Sequence, residues 1–387
     1  MPKVKALAGG EAVAEAMRQI NPDVVASYPI TPQTIIMQKF ADFHADGFVD
    51  SELVRVESEH SAMSCCVGAS AAGARTMTAT SSAGLALMWE ILGVASGLRL
   101  PIVMAVANRA LSAPINIHCD HSDAMGCRDH GWIMLFSENG QEAYENMILA
   151  VKLAERKDVL LPVMVNLDGF ITSHGVENIT IHEDEKIKKF AGSYNANKPL
   201  LDVKNPVTYG PLQLPDYYFE TKYQQIAVME AAKKAYLEIG DELAKITGNS
   251  YGYFEKYRMD DAKAVMVAAN STAGTAKSVI DKLRAKGKKV GLLKIRLFRP
   301  FPYNEIMDAL KDAKSVAVLD RSASFGANAP LYGEIKNSLY GLKKKPALFS
   351  CIYGLGGRSI FEDDIAEIFK KLLKKELDEV SYTGLRK

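Results

Sequence analysis

The chain has 387 residues, 48% of them hydrophobic, and its 47 basic side chains nearly balance its 46 acidic ones, which leaves a formal net charge of +1. At about 150 residues per domain, this length predicts two domains. The balanced charge argues against a nucleic-acid-binding protein, which would carry a clustered basic face, and the ordinary apolar fraction argues against a disordered chain.

The cysteines indicate a protein without disulfides or metal clusters. There are five of them, an odd number, and no two are spaced as CxxC. This argues against a secreted disulfide framework, a zinc ribbon and a ferredoxin-type cluster. The N-terminus lacks the apolar segment of a signal peptide, and no run of about 18 apolar residues occurs. We therefore expect a cytoplasmic protein with no membrane span.

Short apolar runs alternate with helical patterns in the first half of the chain. The predicted strands are 24–28, 54–57, 76–79, 102–106 and 161–165. The predicted helices are 33–46, 59–72, 84–96 and 142–156. This alternation predicts a parallel sheet with helices on both faces.

The segment over 190–255 is interrupted by asparagines and prolines, and it predicts an ordered, irregular arm leading into a helix over 224–246. A second α/β unit begins near Asp261. Its predicted strands are 264–268, 290–295, 315–319 and 347–353, and its predicted helices are 276–286, 303–310 and 362–375. The charged C-terminal tail is expected to be a solvated end. We divide the chain into a first domain with its arm over 1–250 and a smaller domain over 251–387.

The fingerprints of common nucleotide, hydrolase and zinc enzymes are absent. The sequence contains no GxGxxG, GxxxxGK[ST], GxSxG or HExxH motif. The glycine-rich segment 354–358 is a weak signal, which we interpret as a turn. Four other segments follow predicted strands, and the carboxyl ends of parallel strands line the ligand crevice in such folds.

The first two segments offer a hydroxyl and a carboxylate. In 28–34, two prolines bracket Ile30 and Thr31 and stiffen the turn, which either holds the Thr31 hydroxyl in place or only starts a helix. In 56–62, Glu59 opens an alanine-rich helix, where an acidic residue usually serves the helix dipole. A buried Glu59 would instead need a specific hydrogen-bond partner, which would make it a catalytic candidate.

The other two segments carry charge after the fourth predicted strand. Arg109 follows that strand directly, where a guanidinium suits the bidentate capture of a carboxylate. The alternative is an ion pair with Asp120 or Asp123. Two histidines and two aspartates crowd into 117–123, but no metal-ligand triad can be assigned, so we interpret this segment as helix capping and loop hydrogen bonding.

Taken together, these segments resemble the alpha subunit of multi-subunit pyruvate:ferredoxin oxidoreductases, within the 2-oxoacid:ferredoxin oxidoreductases. The matching motifs, which extend over nearly the whole chain, are YPITP at 28–32, ESEHSA at 57–62, NRALS at 108–112, DHSD at 120–123, LDGFITSH at 167–174, RLFRPFP at 296–302, VLDR at 318–321 and YGLGGR at 353–358. One departure is Ser359, where the family pattern has an acidic residue.

The resemblance implies a fold, an activity and site residues. It implies a thiamine-diphosphate-binding α/β domain of the pyrimidine-binding type, followed by a smaller domain like the transketolase C-terminal domain. The implied activity is the CoA-dependent oxidative decarboxylation of pyruvate to acetyl-CoA and CO2, with electrons passed to ferredoxin. Glu59 falls at the carboxylate that contacts the aminopyrimidine ring, with Pro29 and Ile30 as further cofactor-binding residues. Thr31 and Arg109 fall at the substrate, and no metal ligand is assigned.

The resemblance also implies partner chains. The sequence lacks the Gly-Asp-Gly loop that holds the Mg2+–diphosphate group in thiamine enzymes, and it lacks cluster ligands. Thiamine diphosphate would therefore be shared with a partner chain, and Mg2+ and [4Fe-4S] clusters would lie on beta, gamma and delta-type subunits. The alternatives are another 2-oxoacid as substrate (branched-chain, 2-oxoglutarate or oxalate), a ferredoxin-independent thiamine enzyme, and a non-catalytic assembly subunit.

Overall fold

The computed structural model describes residues 2–386, which form two large β-sheets and one two-stranded sheet. The strands are β1 (Lys3–Ala8), β2 (Val24–Ser27), β3 (Glu52–Arg55), β4 (Thr76–Thr80), β5 (Val103–Asn108), β6 (Ile133–Ser137), β7 (Val163–Asp168), β8 (Val176–Ile181), β9 (Phe254–Tyr257), β10 (Ala264–Ala269), β11 (Val290–Ile295), β12 (Leu297–Arg299), β13 (Ser315–Asp320), β14 (Ala347–Tyr353) and β15 (Val380–Thr383). The helices are α1 (Gly9–Ile20), α2 (Thr34–Ala45), α3 (Glu59–Ala72), α4 (Ser82–Leu87), α5 (Trp89–Gly97), α6 (Ser122–Gly126), α7 (Gly140–Glu155), α8 (Ile171–His174), α9 (Asp184–Ala191), α10 (Pro215–Thr247), α11 (Thr272–Ala285), α12 (Tyr303–Leu310), α13 (Pro330–Leu339) and α14 (Glu362–Lys374), and a 3-10 turn spans Leu355–Gly357.

The first sheet has seven strands in the order β12-β6-β7-β5-β4-β2-β3, and every pair except β12–β6 is parallel. The central strands β4, β5, β6 and β7 are buried along their whole length, which is typical of parallel sheets covered on both faces. The segments that follow β2, β3, β4 and β5 therefore meet at one edge of the sheet, and the candidate site residues lie in them.

The second sheet has six strands in the order β15-β14-β13-β10-β11-β9, and only β9 and β11 pair antiparallel. Helices α11 and α14 pack together on this sheet, with an apolar core of aliphatic and aromatic side chains between. The prediction of two α/β units with largely parallel sheets is confirmed.

The two halves of the chain are joined at a strand and at a buried charge cluster. Only Arg296 separates β11 in the second sheet from β12, which pairs with β6 in the first. The buried Lys294 ammonium lies 2.5 Å from Glu138, 2.6 Å from Glu142 and 2.7 Å from Glu255. A buried lysine needs such partners, so this cluster binds the second half to the first. The division of the chain between residues 250 and 251 stays a prediction.

Helix α3 begins and ends where its sequence predicts. The Ser58 hydroxyl accepts a hydrogen bond from the backbone N–H of Ser61 at 3.2 Å, and Gly73 closes the helix with a φ of 113°. Serine and glycine are the residue types favoured at these two ends. The small side chains of α3 let it pack on β2 and β4, so the first residue of the helix lies at the functional edge of the sheet.

Several elements differ from the sequence pattern. The helix predicted over 84–96 is two helices, α4 and α5. Helix α10 begins at Pro215 rather than at residue 224, because proline is tolerated in a first helical turn. The C-terminal tail is not wholly a solvated end, since β15 pairs in parallel with β14. Across residues 2–386, no helix combines the length and the apolar character that crossing a bilayer requires.

Candidate active site

Glu59 is the first residue of α3, and its side chain lies against α4. The residue is only 7% exposed, yet its carboxylate accepts no hydrogen bond from any residue in 2–386. A Cβ added to Gly84 would lie 2.6 Å from Glu59 Oε1, so the absence of a side chain at Gly84 makes room for the carboxylate. A buried carboxylate without a protein partner is a group that a ligand can satisfy.

Two hydroxyls that precede α4 are also without partners. Thr80 Oγ1 and Ser81 Oγ are buried and make no hydrogen bond within the described part of the chain. The same added Cβ at Gly84 would lie 2.6 Å from Thr80 Oγ1, which places this hydroxyl and the Glu59 carboxylate against the same face of α4. This cradle fits a polar ligand, because a hydroxyl both donates and accepts while a carboxylate accepts.

The turn after β2 is held rigidly by Gln33, which is fully buried. Gln33 Oε1 accepts a hydrogen bond from the Ile30 backbone at 3.3 Å, and Gln33 Nε2 donates to the Ala79 carbonyl at 3.1 Å. The turn is therefore attached to β4, one residue before Thr80. Pro29 and Thr31 are exposed and Ile30 is half-buried, so this segment presents its backbone and side chains to the crevice.

Arg109 follows β5 and contacts the same turn. Its Nη1 donates to the Thr31 carbonyl at 2.9 Å, and its Nε donates to the Asn116 carbonyl at 3.1 Å. Within the described residues, Nη2 makes no hydrogen bond, although Arg109 is only 7% exposed. The guanidinium is thus fixed by two neutral carbonyls and keeps its charge for a ligand. The structure thus brings the Thr31 backbone and the Arg109 side chain together.

Asp123 links the Arg109 segment to α4. Its carboxylate accepts hydrogen bonds from the backbones of Ser82 at 3.0 Å and Arg109 at 2.9 Å, and from Asn108 Nδ2 at 3.0 Å. Burial raises the pKa of the Asp123 carboxyl to about 6, although these N–H donors favour its charged form. The alternative of an ion pair between the Arg109 guanidinium and Asp120 or Asp123 is wrong. Asp123 binds the Arg109 backbone, and Asp120 accepts hydrogen bonds from the backbones of Ser122 and Gly356.

A second buried network lies at the end of β7, between the two halves of the chain. Asp168 accepts hydrogen bonds from His121 Nε2 at 2.8 Å, Asn270 Nδ2 at 2.9 Å and Arg321 Nη1 at 3.1 Å, and also from the Ser271 hydroxyl. Burial opposes ionisation of Asp168, but the Arg321 guanidinium and the hydrogen bonds from His121 and Ser271 outweigh it and hold its pKa well below the usual range.

The ligand atoms of Cys119, His121 and Asp168 lie close enough together to hold a metal ion. Arg321 already neutralises Asp168 from within the protein, and burial raises the pKa of the Cys119 thiol well above its usual value. The cluster therefore has the properties of a structural contact between the halves rather than those of a metal centre.

The sequence analysis did not single out Gly84, Gln33 or Asn116. For Gly84 the sequence signal is weak, because the pattern predicts a helix that begins at this residue, and glycine is tolerated at a helix start. Gln33 and Asn116 carry no comparable signal, because an amide in a turn or loop is common and its partners are distant in sequence.

The chain matches two family models. Residues 15–241 match the thiamine-diphosphate-binding domain of pyruvate flavodoxin/ferredoxin oxidoreductase, and residues 262–365 match core domain II of pyruvate:ferredoxin oxidoreductase.

Curated relatives match along the whole length. Pyruvate synthase subunit PorA of Thermotoga maritima is 59% identical over 98% of this chain and 98% of its own. Pyruvate synthase subunit PorA of Methanocaldococcus jannaschii is 49% identical over 100% of this chain and 99% of its own. Ketoisovalerate oxidoreductase subunit VorA of Pyrococcus abyssi is 41% identical over 100% of this chain and 99% of its own.

Solved structures agree in fold. A 2-oxoglutarate:ferredoxin oxidoreductase from Magnetococcus marinus, solved with 2-oxoglutarate, coenzyme A and succinyl-CoA bound, superposes with a TM-score of 0.75 at 20% identity over 96% of this chain. The chain spans 65% of the length of that oxidoreductase chain. A split-gene transketolase, in an inactive beta4 tetramer, superposes with a TM-score of 0.56 at 11% identity over 96% of this chain and 100% of its own. The predicted likeness to thiamine enzymes and transketolase is thus confirmed at the level of fold.

Proposed function

We propose that this chain, which belongs to the pyruvate flavodoxin/ferredoxin oxidoreductase family, is the alpha-type subunit of a pyruvate:ferredoxin oxidoreductase. The reaction converts pyruvate and CoA to acetyl-CoA and CO2, and passes two electrons to ferredoxin. The observation that supports the assignment most directly is the buried Glu59 carboxylate, which has no hydrogen-bond partner among the described residues. It lies against α4, and Asp123 connects the start of α4 to the Arg109 backbone.

Glu59 and the hydroxyls beside it fit the aminopyrimidine ring of thiamine diphosphate. Such a ring carries both donors and acceptors, which matches a carboxylate and the unpartnered hydroxyl of Thr80. In this proposal Glu59 holds a proton against a ring nitrogen, and Pro29 and Ile30 line the cofactor side of the turn. When bound, thiamine diphosphate supplies a nucleophilic carbon and a sink for the electrons released on decarboxylation.

Arg109 and Thr31 suit the substrate. The free Nη2 of Arg109 and its fixed orientation suit a carboxylate, and the exposed Thr31, whose backbone carbonyl accepts from Arg109 Nη1, offers its hydroxyl as a further polar group. In this proposal the two residues orient the 2-oxoacid and leave its carboxylate free to depart as CO2.

We also propose partner subunits for this chain. The sequence has no Gly-Asp-Gly loop and no cysteine spacing for a cluster, so we assign Mg2+ and [4Fe-4S] clusters to beta, gamma and delta-type subunits, with ferredoxin as acceptor. The exposed apolar side chains at the start of α10 support such contacts. They are Tyr217, Tyr218, Phe219, Tyr223 and Ile226. The free cysteines support a cytoplasmic location.

We expect the purified chain alone to show no iron absorbance and no pyruvate-dependent reduction of viologen. The assembled complex should show both, and its viologen reduction should require CoA and added thiamine diphosphate. Assays of the chain and of the complex at equal concentration make the comparison. Activity of the chain without partners would overturn the proposal that its cofactor site is shared with a partner chain.

A branched-chain substrate is the second candidate, because the chain is also 41% identical to a ketoisovalerate oxidoreductase subunit. A substrate panel of pyruvate, 2-oxoisovalerate and 2-oxoglutarate separates the candidates by kcat/KM. We expect pyruvate to rank first, and a higher kcat/KM for 2-oxoisovalerate would assign the chain to the branched-chain class.

Replacing Gly84 by alanine should lower turnover of the complex by about tenfold to a hundredfold, because a displaced catalytic group loses much of its orientation. The new Cβ would lie 2.6 Å from both Glu59 Oε1 and Thr80 Oγ1. Gly68→Ala is the matched control, since it is also a helical glycine but its Cβ would meet no atom within 4 Å. If the two variants were equally active, the space that Gly84 leaves beside Glu59 and Thr80 would not be needed for turnover.

A further inference from the structure

The glycine-rich segment at the end of β14 contacts the loop that follows β5 in the other half of the chain. The Asn116 side chain donates from Nδ2 to the Gly356 carbonyl at 3.0 Å, and the Gly356 backbone donates to Asp120 Oδ2 at 3.2 Å. The segment is therefore more than a turn between β14 and α14, because it binds both ends of the facing stretch from Asn116 to Asp120. Ser359, just beyond it, is exposed.

Two of these glycines cannot carry a side chain without moving that loop. Gly356 has a φ of 60°, and an added Cβ would lie 2.5 Å from Asn116 Nδ2. Gly357 has a φ of 80°, and an added Cβ would lie 2.3 Å from His118 Cβ. Both the left-handed backbone and the close approach favour glycine at these positions.

Asn116 connects this contact to Arg109. Its carbonyl accepts the hydrogen bond from Arg109 Nε at 3.1 Å, and its Oδ1 accepts one from the His118 backbone at 2.7 Å, which fixes the local conformation of the loop. The neighbours of Asn116 are exposed: Ile115 is 78% exposed and Ile117 is 41% exposed. The loop is attached through Asn116 and its partners and also through the Ala110 backbone, which donates to the His118 carbonyl at 3.0 Å. The glycine segment therefore helps to set the position of the Asn116 carbonyl.

We propose that the segment Gly354–Gly357, acting through Asn116, positions the Arg109 guanidinium for the carboxylate of the substrate. Asn116, Gly356 and Gly357 are positioning residues in this proposal, and Arg109 is the residue that touches substrate. The inference rests on the proposed function, because it assumes that Arg109 binds a 2-oxoacid. It assigns to the second half of the chain a part in substrate binding at the edge of the first sheet.

The test measures pyruvate kinetics of the assembled complex in a double-mutant cycle. Arg109→Ala should lower kcat/KM for pyruvate by about 10²-fold, since it removes a charge-assisted contact. Asn116→Ala should lower kcat/KM by about tenfold, mainly through KM for pyruvate, and should leave KM for CoA unchanged. In the Arg109→Ala background, Asn116→Ala should cause no further loss, because a positioning residue has no effect without the group that it positions.

Glycine variants test the same contact from the other side. Gly357→Ala should raise KM for pyruvate in the same pattern as Asn116→Ala. Gly326→Ala is the matched control, because Gly326 has a φ of 85° but its Cβ would meet no atom within 4 Å. The Gly326→Ala variant introduces the same backbone strain without a contact to the Asn116 loop, so its KM for pyruvate should stay at the wild-type value.

The outcomes separate the inference from the proposed function. An unchanged KM for pyruvate in Asn116→Ala, or losses that multiply in the double variant, would overturn the inference while Arg109 keeps its role. An unchanged kcat/KM in Arg109→Ala would overturn the role of Arg109 itself, and the inference would fail with it.

Discussion

Replacing Glu59 by alanine is expected to lower pyruvate turnover of the assembled complex by more than about 10²-fold, the scale of acid–base catalysis. The reason is that the Glu59 carboxylate is buried, lies in the notch left by Gly84, and has no partner among the described residues. The measurement is kcat for viologen reduction at saturating pyruvate, CoA and thiamine diphosphate. Near-normal turnover would remove Glu59 from the mechanism.

Glu59→Gln sharpens that experiment. Glutamine keeps the size of the side chain but loses the carboxylate, so turnover should fall to a similar extent while the fold is retained. A second readout is the affinity of the complex for thiamine diphosphate, followed by quenching of protein fluorescence. Glu52→Ala is the control, because Glu52 is an exposed acidic residue on the edge strand β3. Its turnover should match that of the wild type.

Replacing Arg321 by methionine is expected to lower the free energy of unfolding by about 3–5 kcal/mol, the usual cost of removing one partner from a buried ion pair. Arg321 is 3% exposed and its Nη1 lies 3.1 Å from Asp168 Oδ2, so the substitution leaves Asp168 charged and buried. The measurement is the midpoint and slope of urea unfolding at neutral pH.

The pH dependence of this variant follows from the same ion pair. In the wild type the pKa of Asp168 is lowered, so its contribution to stability is present above the unfolded pKa and is lost as the pH falls through the folded pKa. Without Arg321 the pKa of Asp168 rises, and the deficit of the variant should shrink as the pH falls toward 4. A deficit that stays constant over this range would contradict the ion-pair explanation.

Two further variants test whether the loss of stability comes from the buried, unpaired charge of Asp168. Arg258→Met removes an exposed ion pair with Asp281 and should leave the urea midpoint close to that of the wild type, because solvent screens such a pair. Adding Asp168→Asn to Arg321→Met removes the uncompensated charge and should recover part of the loss. A double variant less stable than Arg321→Met alone would show that Asp168 contributes through its other hydrogen bonds instead.

The elements that could be predicted depend on near neighbours in the sequence. The bounds of α3 follow from Ser58 and Gly73, whose preferences for helix ends are local. The strands β10, β11 and β13, which are buried along their length, and the partly buried β14 follow from short apolar runs between turn residues. Short strands are harder to locate from the sequence, because they contain too few residues to show a periodicity. Strand β3 has four residues and begins two residues before the predicted strand, and β12 is shorter still.

The candidate site could be predicted only in part. Strand ends and the matching motifs pointed to Thr31, Glu59 and Arg109, and the roles of these residues stay predictions until the variants are measured. The contact of Arg109 with the carbonyls of Thr31 and Asn116 could not be predicted, since backbone carbonyls are present at every residue and carry no sequence signal.

The α/β class, the parallel sheets and the family could be inferred from the amino-acid sequence, because they depend on periodicity and on contiguous motifs. Three features became known from the folded chain alone: β12 joins the first sheet, Gly84 leaves room for Glu59, and Gly356 contacts Asn116 from 240 residues away. Such contacts arise from packing between distant segments, where one glycine or one amide decides the geometry. The local sequence around such a glycine or amide does not indicate which distant residue it will contact.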